Sequence, residues 1–121
     1  MLVQQNLLSK RQVDYITLLI FLLARHGKID RARVLVDALI ALGVRGEKTL
    51  VARIILKFLS ADYQEALQEL EDVEDGLLPR IASAKRNDLR RTLTYIRARC
   101  CCELDRRSEG ERIARKLLAE Q

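Results

Sequence analysis

The sequence predicts an all-α chain built from three antiparallel helix hairpins. Three observations carry that expectation. Glycine and proline number only 5 and 1 in 121 residues, so few positions break the chain. Leu, Ala, Arg and Glu, good helix formers, recur throughout. Apolar residues return at helical rather than alternating spacing.

The elements follow in order. "LLSKRQVDYITLLIFLLARHG" offers Ser9 as an N-cap and apolar residues at Val13, Ile16, Leu19, Ile20 and Leu23, and Gly27 ends it. "KIDRARVLVDALIALG" repeats the pattern at Ile29, Ala32, Val36 and Leu39, stopped by Gly43. These two helices make a first hairpin over residues 9–43. "EKTLVARIILKFLSA" and "DYQEALQELEDVED" make a second, 46–74. "NDLRRTLTYIRARCCCEL" and "RRSEGERIARKLLAE" make a third, 87–120. "GLLPRIASAKR", with the only proline, Pro79, reads as an insert over 76–86. The length suits one domain, 1–121.

With 49% hydrophobic and 32% charged residues the chain is expected to be globular. Its most apolar run, Tyr15 to Ala24, has ten residues, against the ~20 needed to span a bilayer. That run continues into an amphipathic helix without a cleavage-type break, which argues against a secretory leader. No membrane insertion is expected. The net charge of +5 sits in residues 85–121, with 11 Lys+Arg against 6 acids, whereas residues 1–84 carry 11 of each. Seven acids and no base occupy Asp62 to Asp75. Solvated helix faces explain most such asymmetry, although a dipolar chain can also steer a charged partner.

Repeated hairpins invite a test of period. "HGKIDRARVLVDAL" aligns with "SADYQEALQELEDV", which sets Ala32 on Ala66, 34 residues apart. "LDRRSEGERIARKL" sets Gly110 at the same place after a further 44 residues, an excess about the size of the Pro79 segment. A small residue is needed there because two helices of a hairpin cross at that point. Gly27, Ala32, Ala66 and Gly110 are therefore the expected structural repeat positions.

A 34-residue helix-turn-helix with a small residue in its second helix resembles the tetratricopeptide repeat, most closely at "GKIDRARVLV" and "ADYQEALQEL". "LSKRQVDYITLLIFLLARHGKIDRARVLVDALIAL" resembles the start of the YscY (SctY) family of small type III secretion chaperones of Gram-negative bacteria, with the YscG-type needle-subunit chaperones next. The resemblance implies a right-handed superhelix and a cytoplasmic bacterial protein. Its groove would hold a helix of a small secreted component, YscX-like in the first case, and it would be associated with the export gate ring protein. The first helix of each repeat would line the groove, which assigns partner contact to Thr17, Phe21, Val51, Ile55, Phe58 and Tyr95. In the second hairpin two registers compete. The strict 34-residue alignment turns Arg53 and Lys57 toward the core. A register shorter by one residue buries Val51, Ile54, Ile55 and Phe58 and leaves Leu56 and Leu59 for the groove.

The three cysteines, Cys100, Cys101 and Cys102, stand side by side. On a helix their thiols fan out at about 100° per residue and cannot converge on one metal ion. Neighbours on a helix also cannot form an unstrained disulfide. Cys100 continues the apolar row Leu89, Leu93, Ile96, so these residues read as core filler from a reducing compartment, the cytoplasm. A reactive thiol activated by Arg97 and Arg99 is the alternative.

No enzyme is expected. His26, the single histidine, falls at a helix end and reads as a cap or surface residue. No nucleophile–base pair, phosphate loop or metal-binding spacing stands out, so no cofactor, metal or small-molecule substrate is expected. The basic stretches Lys85 to Arg91 and Asp105 to Lys116 are interrupted by Asp88, Glu103, Asp105, Glu109 and Glu111, which argues against nucleic acid. A nucleic-acid-linked regulator and a self-associating scaffold remain the readings of other classes.

Overall fold

The computed structural model describes residues 8–76 and 83–119, with the side chains of 83–86 excepted. Six α-helices account for almost all of the described chain: α1 Lys10–Arg25, α2 Ile29–Ala41, α3 Glu47–Leu59, α4 Tyr63–Gly76, α5 Ser83–Glu103 and α6 Arg107–Ala119. The all-α expectation holds. No described helix is long and apolar enough to cross a membrane.

The chain divides into two compact units, residues 1–60 and 61–121. In the first, α2 packs against both α1 and α3. Its buried centre is Ile20, Ala32, Val36, Leu39 and Leu56. In the second, α5 packs against both α4 and α6. Residues 46–74, read as one hairpin, are thus shared between the units, α3 in one and α4 in the other.

Local signals set the helix ends. Ser9 closes a capping box with Gln12: its side chain accepts from the Gln12 N–H at 3.2 Å, and the Gln12 side chain accepts from the Ser9 N–H at 2.9 Å. At the other end of α1, Gly27 has φ +77°. The Lys28 N–H donates to the Leu23 carbonyl at 2.8 Å and the Gly27 N–H to that of Ala24 at 3.1 Å. This is a Schellman closure. Gly43 ends α2 the same way, with the Val44 N–H donating to the Leu39 carbonyl at 2.9 Å.

The aligned segments share this turn. Ala61 (φ 65°) and Asp105 (φ 63°) occupy the position of Gly27, although neither is glycine. After Asp105 the Arg106 N–H donates to the Cys101 carbonyl at 2.8 Å, the counterpart of the Lys28 bond. Ala32, Ala66 and Gly110 follow at the same distance, and all three are buried. A left-handed turn residue followed five residues later by a buried small residue therefore recurs three times along the chain.

Two boundaries differ from the sequence reading. α5 starts at Ser83, not near residue 87. Asn87 looks like a cap, but the good helix formers Ala84, Lys85 and Arg86 carry the helix through it. α4 runs on to Gly76. The remainder of the expected insert, with Pro79, lies outside the described residues.

Helix α3 obeys neither proposed register. Ile54 and Leu56 are both buried, although two residues on a helix point about 200° apart. Leu56, assigned to a groove by the shorter register, belongs to the core of the first unit. Leu59 is 51% exposed. Val51, Arg53, Ile55, Lys57 and Phe58 are all half-buried. A helix covered on two sides has no single core face, which is why a one-face register fails here.

Candidate functional site

Helix α1 carries more apolar surface than its unit covers. The segment "TLLIFLLA" is apolar around nearly the whole helix circumference, a pattern that normally marks a helix enclosed on all sides. Only Ile20 of α1 is fully buried. Tyr15, Leu18, Phe21 and Leu22 stay 46–66% exposed, half of the eight large exposed apolar side chains among the described residues.

Part of this surface borders an open groove of about 590 Å³ in the first unit. Val13, Thr17 and Phe21 line one side at i, i+4, i+8, with Leu18 beside them; Val44 and Thr49 stand on the other. The Thr17 hydroxyl donates to the Val13 carbonyl at 2.8 Å, which turns its methyl-bearing side chain along the helix. Charges ring the mouth: Lys10 and Asp14, 3.5 Å apart, and Glu47 and Lys48 at the start of α3. The result is a mixed trough, with Val13, Leu18, Phe21 and Val44 as its apolar part and charged residues beside them, a combination that suits an amphipathic helix.

The expected contact residues separate into three groups. Thr17 and Phe21 lie in this groove together. Val51, Ile55 and Phe58 are half-buried on α3 and are not among the groove's lining. Tyr95 belongs to the second unit and is 49% exposed. Its hydroxyl accepts from Arg99 at 2.8 Å, with the Arg99 guanidinium 5.8 Å from the ring centroid. Leu18, Val44 and Thr49 were not anticipated. The all-round apolar character of residues 17–24 was the signal available for Leu18.

The remaining expected positions are structural. Gly27 makes the left-handed turn. Ala32 and Ala66 have no exposed surface. Gly110 is buried where a Cβ would lie 2.6 Å from Cys102 Sγ and 2.7 Å from the Ala98 carbonyl oxygen. Cys102 therefore meets the neighbouring helix. Cys100 and Cys101 are buried, and burial pushes the Cys100 thiol up to about 11 and raises that of Cys101. Arg99 and Arg97 pull these thiols the other way but do not win. The triplet packs, and its two buried thiols are held in the protonated, unreactive form at neutral pH. No group of three or more His, Cys, Asp or Glu among the described residues is placed to hold a metal ion. His26 caps the C-terminus of α1.

No protein-family model matches the sequence, and no curated protein does.

Proposed function

We propose that this chain is a helix-binding chaperone of the type III secretion kind, which stabilises a small YscX-like export component in an apolar groove. The observation that carries the reading is the uncovered apolar face of α1, with Leu18 and Phe21 bordering a trough of helix-accepting form. The recurring turn at Gly27, Ala61 and Asp105 and the small residues Ala32, Ala66 and Gly110 support it, because they are the features by which the chain resembles tetratricopeptide repeats. In this reading the three segments wind into a right-handed superhelix in the bacterial cytoplasm. The chain binds rather than catalyses, and the complex docks on the export gate ring protein. Tyr95, Val51, Ile55 and Phe58 contribute further contacts.

Co-expression with a YscX-like protein, followed by size-exclusion chromatography, tests the proposal. A 1:1 complex should form with wild type and be lost in Leu18→Glu and Phe21→Glu. Both side chains are more than half exposed, so helicity should be unchanged. Absence of a complex, or an undiminished one with both variants, refutes the reading.

A further inference from the structure

We propose that the cleft between α5 and α6 is a second binding site, and that its occupant is an acidic amphipathic helix. Arg90, Arg91 and Arg97 project into the cleft from α5, and Arg112 and Lys116 from α6. No carboxylate among the described residues lines it. In sequence these cations are interleaved with Asp88, Glu103, Asp105, Glu109 and Glu111, yet none of those acids borders the cleft. Helical spacing sorts them: positions 90, 91, 94 and 97 share one stripe of α5, and 112, 113, 116 and 117 one stripe of α6.

Only Arg97 among the five is held by a described carboxylate, that of Glu74 on α4. That pair fixes one guanidinium and leaves the others to an incoming anion. Crowding like charges on two adjoining stripes is unfavourable in the empty cleft, and an anion relieves it. Arginine forks match carboxylates two bonds at a time.

The floor distinguishes the class of anion. Ile113 and Leu117 lie along it, so the occupant needs apolar side chains between its acids. Among the described residues the lining has no aromatic ring on which a base could stack, which nucleic-acid grooves use. A volume of about 300 Å³ admits a few side chains of a helix laid along the trough. Acids flanking a leucine stripe on one helix satisfy both the rim and the floor.

The probe is a fluorescein-labelled synthetic helix of about 18 residues, five turns, with leucines on one face and glutamates on both flanks. Its binding to the full chain is followed by anisotropy. The affinity should fall as salt is raised and drop about tenfold or more in the Arg91→Ala, Arg112→Ala double variant. Circular dichroism should be unchanged, since both side chains are exposed. Phe21→Glu should leave this affinity intact, which separates the cleft from the α1 groove. The proposal is overturned if the peptide does not bind or if the double variant binds it as well as wild type. Tighter binding of a single-stranded oligonucleotide of equal charge overturns it too. So does a wild-type dimer that the double variant converts to monomer, which would give the cleft to a second copy of the chain.

Discussion

Replacing Gly110 by alanine puts the repeat geometry to its sharpest test. In an ordinary helix this change stabilises by about 0.8–1.0 kcal/mol, because glycine loses more backbone entropy. At Gly110 the added methyl would sit 2.7 Å from the Ala98 carbonyl oxygen and 2.6 Å from Cys102 Sγ. The sulfur can swing aside. The carbonyl belongs to the α5 backbone and cannot, so the helices must part by roughly 0.6 Å to restore a C···O contact of ~3.3 Å. Overpacking of this kind costs about 1–3 kcal/mol. A rigid obstacle places the cost in the upper half of that range, which leaves a net loss of about 1–2 kcal/mol after the helix-propensity gain. For a unit of this size the melting temperature should fall by about 5–10 °C. Urea and thermal unfolding followed at 222 nm measure both quantities. Gly76→Ala is the control: no atom of the described residues lies within 4 Å of its Cβ position, so it should be neutral or slightly stabilising. Adding Cys102→Ala to the Gly110 variant should restore only a minor part of the loss, because the carbonyl remains. A Gly110→Ala protein as stable as wild type, or more so, would refute the close crossing.

Ala66, with no exposed surface, should lose about 1–3 kcal/mol as Ala66→Leu, while exposed Gln68→Leu should change the urea midpoint little. Ala61→Gly should stabilise by about 0.5–1 kcal/mol, since it relieves a left-handed alanine at φ 65°; an Ala61→Gly variant that melts earlier would contradict that backbone. Cys100 and Cys101 should react slowly with a disulfide reagent in the folded protein and rapidly in urea. Because burial raises the Cys100 thiol to about 11, the unfolded chain releases its proton first. That part of the stability is present below the ordinary thiol range and is lost as pH rises toward 11. Urea midpoints from pH 8 to 10.5 should fall less steeply for Cys100→Ala than for wild type.

How much of this was legible depends on where the chain writes its signals. Ser9, Gly27 and Gly43 mark helix ends with residues whose chemistry demands it, and those ends fall where expected. Ala61 and Asp105 make the same turn without glycine, so only alignment with Gly27 exposes them. The start of α5 carries no such mark, and the helix read from residue 87 begins at Ser83 because Ala84, Lys85 and Arg86 are good helix formers. On α3 the apolar residues surround the helix, so no periodicity could say which faces are covered. The cationic cleft was hidden for a different reason. Charge read along the chain mixes Arg90, Arg91, Arg112 and Lys116 with acids that the helical turn carries to other faces. Repeat register names Thr17 and Phe21, which border the α1 groove, whereas Val44 and Thr49 reach that groove only through the turn after α2 and the start of α3.

The helices that pack within each unit are neighbours in sequence, α1 with α2 with α3, and α4 with α5 with α6. Joining neighbours closes only short loops, so the entropy lost in forming each contact is small and folding should be fast for the chain's length. Synthesis runs from the N-terminus, and units of this kind form as they emerge. The first unit ends at residue 60. The exposed apolar face of α1 is therefore presented while residues 61–121 are still on the ribosome.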